Sequence, residues 1–248
     1  MTTATVQRAI EQTRHRVEQE QCRRSCQHFV FSAGLMTKDE HDAHTPIKSV
    51  PDEPYLRALL DDLLVSGRLV KPEAATAALA AGHSLYWLQA LASSGILLVE
   101  KSRQVMATWL CCAYILWRAK YLSHQLMLVQ SKREDDAANL VFNKESFVAR
   151  MSFMETHLPA HLRTAVFPKA GSFSQLFFPT GSRVWGIPEG GEIIRSNTPS
   201  VIFSDEAAFQ PEFGKAFTAA LPCIKGGGQF VGISTAEPGE FAALVEAA

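Results

Sequence analysis

A chain of 248 residues, 47% hydrophobic and 20% charged, can bury one sizeable core, which excludes a disordered, collagen-like or disulfide-miniprotein chain. Lys and Arg (24) almost balance Asp and Glu (25), so no global positive field advertises a nucleic-acid partner and only a local basic face remains open. The apolar stretch 105–117 falls short of the roughly 20 residues of a bilayer span, and residues 1–20 are too polar for a signal peptide; both point to a soluble intracellular protein.

Residues 5–31, rich in Gln, Glu and Arg, predict a helix ending in the apolar patch Phe29-Val30-Phe31. Residues 32–54, with Gly34, Pro46, Pro51 and Pro54, read as a connector. Apolar positions at helical spacing predict a helix over 55–64, and a short Ala-rich one follows over 72–81. From about residue 95 short apolar strands alternate with helices: strand 96–99, helix 106–122, strand 125–129, then a long charged helix over 133–157. A hairpin is expected over 176–187 around Thr180-Gly181-Ser182, a strand at 201–203, a helix after Pro211 and a strand at 230–233. Buried strands alternating with helices imply an α/β domain with a mostly parallel sheet and right-handed crossovers. The cysteines Cys22, Cys26, Cys111, Cys112 and Cys223 are odd in number and read as reduced thiols. Cys22 and Cys26 with His41 and His44 have a spacing zinc could use, but the cysteine spacing is also one helical turn, the reading preferred.

In such a sheet ligands bind at the carboxyl ends of the strands, and three strand ends carry polar clusters. The first runs from Glu100 and Lys101 through Ser102-Arg103-Gln104 to Thr108, strand end to helix start. A nucleotide site needs N–H groups at a helix N-terminus, a cation for the phosphates and a hydroxyl for magnesium. Of the usual G-x-x-x-x-G-K-[ST] pattern only Thr108 keeps its place, Met106 and Ala107 standing where the second Gly and the Lys would be. The second cluster delivers Asp205 and Glu206 at the tip of an apolar strand, one carboxylate for a metal shell and one to orient water. The third is Ser234-Thr235-Ala236. Each alone reads as a loop, a turn or a cap; in this order, each at a strand end, they suit phosphoryl transfer. Trp109, Tyr114, Ile115 and Trp117 read as core, and Arg14, Arg16, Arg23 and Arg24 as a solvated helix face.

The series Lys-Ser-Arg-Gln-x-x-x-Thr, Ile-Phe-x-Asp-Glu-Ala-Ala and Ser-Thr-Ala over about residues 95–240 resembles the ATPase domain of the large terminase subunits of tailed bacteriophages. That resemblance implies a RecA-like (ASCE, P-loop NTPase type) sheet flanked by helices, with an N-terminal helical subdomain over 1–80 and the ATPase domain over 81–248. It implies an ATP-hydrolysing motor using Mg2+ that drives double-stranded viral DNA into a procapsid. The displaced phosphate lysine of the family's deviant Walker A loop matches Lys101, with Ser102, Arg103, Gln104 and Thr108 completing the ATP-binding loop. Thr108 and Asp205 would hold magnesium, Glu206 would activate water, and Ser234 and Thr235 would form the coupling motif. The family's arginine finger, acting on a neighbouring subunit, falls on Arg195, with Arg183 as runner-up. An adenine-binding glutamine is not clear; Gln89 is the candidate. The partners implied are portal protein, small terminase subunit and further copies of the chain in a ring, five as the family would have it, with a monomer expected in isolation. The location implied is the host cytoplasm, transiently at the portal vertex. The family's carboxy-terminal nuclease domain is missing, so no nuclease activity is expected of this chain. Two other readings stay open: a helicase-like translocase, which would take its arginine from a second domain, and a decayed P-loop module that only docks.

Overall fold

The apolar runs at 96–99, 125–129, 201–203 and 230–233 lie side by side as central strands of one sheet in the computed structural model, which describes residues 3–39, 42, 44–69, 90–93, 95–143, 149–168 and 174–247. The N-terminal part contains α1 (Thr3–Arg24), α2 (Cys26–Phe31), the short strands β1 (Met36–Lys38) and β2 (Ile47–Ser49), and α3 (Pro54–Ser66). There follow β3 (Ala90–Ser93), β4 (Ile96–Glu100), α4 (Ala107–Tyr121), β5 (Leu126–Gln130), α5 (Glu134–Leu140) and α6 (Arg150–His157). The remainder is β6 (Phe167–Pro168), β7 (Gln175–Phe177), β8 (Arg183–Ile187), α7 (Glu192–Arg195), β9 (Val201–Asp205), a 3₁₀ turn (Ala207–Phe209), α8 (Phe213–Lys225), β10 (Gln229–Ser234) and α9 (Glu240–Glu246).

The sheet has eight strands in the order β3-β4-β10-β9-β5-β8-β7-β6. The five central strands are parallel, β4 to β10, β10 to β9, β9 to β5 and β5 to β8. Antiparallel strands close both edges, β3 on one side and the β8-β7-β6 meander, with its predicted turn at Thr180-Gly181, on the other.

Alternation along each strand sorts the core into two layers. Leu97, Val99, Met127, Val129, Val201, Phe203, Val231 and Ile233 face α4, α2, α3 and α6; Leu98, Leu128, Ile202 and Phe230 face α7, α8 and α9. Because both faces are covered, the strands carry unbroken apolar runs, and that made them readable. α4 is buried along most of its length, Tyr114, Ile115 and Trp117 included, and the N-terminal helices share its core through Cys22, Phe29, Leu56, Leu60 and Leu63. No helix among the described residues is long and apolar enough to cross a membrane.

Three expectations are corrected. The helix predicted over 5–31 is two helices, because the Ser25 hydroxyl accepts the His28 N–H at 3.1 Å and caps a new start. The connector 32–54 holds the β1–β2 ribbon, paired Met36 to Ser49 and Lys38 to Ile47. The long helix over 133–157 is two short ones. Val141, Phe142 and Asn143 are weak helix formers, and the Val141 carbonyl turns to the Ser152 N–H (3.3 Å) and hydroxyl (3.0 Å). The helix expected over 72–81, Gln89 and the boundary drawn at 80/81 lie outside the described residues. So does His41; Cys22 and Cys26 sit in the core, Cys22 with its thiol pushed up to about 11 by burial.

Candidate functional site: converging strand ends

The carboxyl ends of β4, β9 and β10 meet beside the start of α4. After β4 the chain leaves as a tight loop over 101–106, in which Gln104 (φ 63°) and Met106 (φ 56°) take left-handed backbone conformations. Met106 stands where a conventional phosphate loop has glycine, and it accepts the conformation glycine would take there. The turn aims the first N–H groups of the 15-residue α4 into a cavity of about 1550 Å³, lined by the loop, the ends of β5, β9 and β10, the β1–β2 ribbon and the start of α6. A helix N-terminus with free N–H groups favours anions.

The carboxylates come from the tip of β9. Asp205 is buried and accepts a hydrogen bond from the Thr108 hydroxyl at 2.9 Å. Burial pushes its carboxyl up, against the opposing pull of Arg150, Thr108 and Lys101. Glu206 is left-handed (φ 50°, ψ 46°), which swings its carboxylate out of the strand direction. Glu206 Oε1 lies 3.1 Å from Lys101 Nζ, a pair of unequal exposure: the Lys side chain is 6% exposed and the Glu 42%. Glu206 Oε2 is 3.5 Å from the Ser234 hydroxyl, and the Lys101 N–H donates to the Ser234 carbonyl at 2.9 Å. Ser204, which breaks the apolar run before Asp205, is buried and accepts the Gln210 side-chain N–H at 3.0 Å; the same nitrogen donates to the Asp205 carbonyl at 2.8 Å. Gln210 thereby holds the strand tip as it turns into Glu206.

The structure thus brings Lys101, Thr108, Asp205, Glu206 and Ser234 into one constellation, with Arg103, Gln104 and Thr235 on the cavity wall and Ser102 exposed on the loop. It does not bring Arg195 there. Arg195 ends α7 and lines a second cavity at the opposite, amino-terminal end of the sheet; Arg183, at the start of β8, stacks over Trp185 at 5.5 Å. One residue that sequence reasoning missed joins the site. Arg150, the first residue of α6, lines the cavity, places its guanidinium 5.5 Å over the Trp109 ring and acts electrostatically on Asp205. Its signal was hidden because a continuous helix would have made it one more surface charge.

Chemically, a hydroxyl and a buried carboxylate 2.9 Å apart suit a small hard cation that takes oxygen ligands. The donor set therefore fits magnesium through Thr108 and Asp205, while Lys101, Arg103, Lys132 and Arg150 supply cationic lining for phosphates.

The raised Asp205 carboxyl has a sign that can be tested. A carboxyl raised above its unfolded value stabilises the fold below the unfolded pKa, and that contribution is lost as pH rises through the folded pKa. At neutral pH the metal-free chain therefore carries a buried charge at a cost. Asp205→Asn, melted at pH 7 in a chelator, will have a higher Tm than the native chain, each 1 kcal/mol gained being worth roughly 2–4 °C for a chain of this size. A lower Tm would mean that Arg150 and Thr108 already compensate the charge.

Neither a protein-family model nor a curated protein matches the sequence. Solved structures do. The large terminase of bacteriophage HK97 aligns over 84% of this chain and 36% of that one, with a TM-score of 0.54 and 12% identity. Looser likenesses are the large terminase of a thermophilic bacteriophage (TM-score 0.41, 17% identity, 54% of this chain and 32% of that one) and the large terminase ATPase domain of Thermus phage P74-26 (0.40, 15%, 60% and 61%). The chain has the fold found in the HK97 protein and corresponds to about a third of its length.

Proposed function

We propose that this chain, built on the large-terminase fold, is the ATP-hydrolysing motor domain of a tailed-bacteriophage DNA-packaging enzyme. The observation that carries the reading is the meeting of two distant strand ends: Lys101 and Thr108 from the β4–α4 turn reach Glu206 (3.1 Å) and Asp205 (2.9 Å) from the tip of β9. That is the minimum set for moving a phosphoryl group to water.

In this reading ATP lies with its phosphates on the 101–108 loop and the start of α4. Lys101 leaves Glu206 for the β- and γ-phosphate oxygens, because their combined negative charge outcompetes a single carboxylate. Ser102, Arg103 and Gln104 line the phosphate turn. Thr108 and Asp205 hold magnesium, which would offset phosphate charge when bound. Glu206, released from Lys101, accepts a proton from water as its oxygen bonds to the γ-phosphorus and the bond to the β-phosphate oxygen breaks, giving ADP and phosphate. Arg150 supports Asp205 in its charged form. Ser234, in contact with both Glu206 and the Lys101 N–H, registers the change at Glu206 and passes it with Thr235 into β10. Gln89 remains the candidate for adenine. Arg195 is too far round the sheet to serve its own chain, so it acts on the nucleotide of a neighbour, in a ring of about five copies as the sequence resemblance suggests. Double-stranded DNA, portal protein and small subunit are the partners of that ring, in the host cytoplasm at the procapsid vertex; contacts to DNA fall mainly on phosphates and weaken with salt.

Mg-ATP binding tests the reading without requiring a ring. By calorimetry, Lys101→Ala will bind at least about tenfold more weakly than the native chain, about 1.4 kcal/mol. Equal affinities would remove Lys101 from the site, and no binding by either would favour a docking module.

A further inference from the structure

The amino-terminal end of the sheet carries a cavity of about 550 Å³ that enters the hydrolytic reading only through Arg195, one of its lining residues. It lies before the strands: Gln125 precedes β5, Ser200 precedes β9 and the glycine run 226–228 precedes β10, while Arg118 comes from the last turn of α4. The parallel strands are five or six residues long, so this cavity is separated from the first by about 17 Å of sheet. The two differ in composition: both described linings carry more cations than carboxylates, but only the first holds carboxylates to balance them. Asp39, Asp136, Asp205 and Glu206 line the first cavity; the second has no carboxylate among its described lining residues and has two arginines, Arg118 and Arg195.

Arg118 is the unusual one. It is 6% exposed, and its hydrogen-bond partners among the described residues are all neutral. Its Nη1 donates to the Tyr114 hydroxyl (3.0 Å) and Gln229 Oε1 (3.1 Å), and its Nη2 to Gln125 Oε1 (2.6 Å). A guanidinium carries five N–H groups; three are used, which leaves one on Nη2 and the buried Nε–H without a partner among the described residues. Tyr114 cannot supply the countercharge, since burial pushes its phenol up to about 12, and the nearby Cys26 thiol is pushed higher than usual as well. A buried cation without an anion is costly unless something charged completes it. Across the cavity stand the exposed Arg195 and Thr198 and the half-buried Asn197 and Ser200.

The geometry points to a second anion site at this end of the molecule: the Arg118–Arg195 cavity binds a small phosphate-type oxyanion, inorganic phosphate or the end of a polyphosphate. Arg118 supplies a pre-oriented, desolvated charge, Arg195 an adjustable one, and the hydroxyl and amide groups complete the hydrogen bonding. The site is distinct from the Lys101 cavity, with which it shares no lining residue; Arg195 alone is common to it and to the proposed action on a neighbour's nucleotide.

Cys223 makes it testable. It lines this cavity and is half-buried, whereas Cys22, Cys26, Cys111 and Cys112 are buried. Its alkylation by neutral iodoacetamide therefore reports on this cavity alone. The full chain carrying Lys101→Ala, which disables the other site, is labelled with increasing inorganic phosphate, and separately with ATP, at constant ionic strength in chloride. Because the rate follows the fraction of unfilled cavity, phosphate at ten times its dissociation constant will slow labelling by about tenfold, and Arg195→Ala will abolish most of that protection. Protection by ATP alone would identify the occupant as a polyphosphate end. Arg118→Lys, checked for folding by circular dichroism, will lose protection as well; if it does not fold, Arg195→Ala decides. The site is refuted if neither anion protects, if chloride protects equally, or if Arg195→Ala is protected like its parent.

Discussion

Glu206→Gln will lower the turnover of assembled subunits by about 10²–10⁴-fold, the usual worth of a general base, and will leave Mg-ATP bound at least as tightly as before. The two halves of the result have separate causes. Gln keeps the shape of Glu and its contact with Ser234 but cannot take a proton from water. It also gives up the claim on Lys101, whose Nζ lies 3.1 Å from Glu206 Oε1, so the lysine no longer has to be drawn from a carboxylate to meet the phosphates. Glu206 is 42% exposed, which keeps that gain small, on the order of a few-fold in affinity. Single-turnover hydrolysis on assembled rings gives the first number and calorimetry the second. Turnover within about threefold of native, far short of a general base's worth, would dismiss Glu206 as the base. Weaker binding would show that its carboxylate helps to hold the nucleotide, as a magnesium ligand would.

The parts of this protein legible in its sequence are those whose cause is local. Leu97-Leu98-Val99, Val201-Ile202-Phe203 and Phe230-Val231 read as central strands because a strand covered on both faces needs no polar side. Once the strands were placed, the polar residues at their carboxyl ends had to gather, so Lys101, Thr108, Asp205, Glu206 and Ser234 were found together without any contact being known. The β1–β2 ribbon was illegible for the opposite reason. Its strands are three residues each, Ile47 is exposed, and the pairing depends on neighbours elsewhere in the chain. Arg150 was lost with the break after Leu140, which propensity marks only faintly at Val141, Phe142 and Asn143. Ser204 looked like a flaw in its strand until Gln210, six residues on, was seen to donate to it. Met106 looked like decay of a glycine motif, yet it adopts the left-handed turn that glycine would have made cheap. A missing glycine is evidence about strain, and says less about the shape of the loop.

The position of Arg150 rests on an interaction deeper in the core, and removing one side of it will destabilise the fold more than any change at the Lys101 cavity. Lys120→Met will lower the unfolding free energy by about 3–5 kcal/mol, the usual result of leaving one buried charge alone. The Lys120 side chain is 0% and the Glu155 side chain 6% exposed. Lys120 Nζ donates to both Glu155 oxygens at 2.7 Å, to the Leu162 carbonyl at 3.0 Å and to the Thr164 hydroxyl at 2.9 Å. Burial lowers the proton affinity of this lysine, and Glu155 opposes the shift. With Met in its place the carboxylate keeps, among the described residues, only the Thr164 N–H, at 2.5 Å, and must be protonated or break out to water. The pair also ties α4, whose first turn lines the Lys101 cavity, to α6, whose first residue is Arg150. Neutralising both partners separates the two effects. Lys120→Met with Glu155→Leu will recover most of the lost stability in urea denaturation, because two apolar groups leave no orphaned charge. If the double variant is as unstable as Lys120→Met, the loss comes from packing and from the Leu162 and Thr164 bonds, and the ion pair itself contributes little. If stability returns while Mg-ATP affinity stays low, the pair serves to hold α6, and with it Arg150, in register with the phosphate loop.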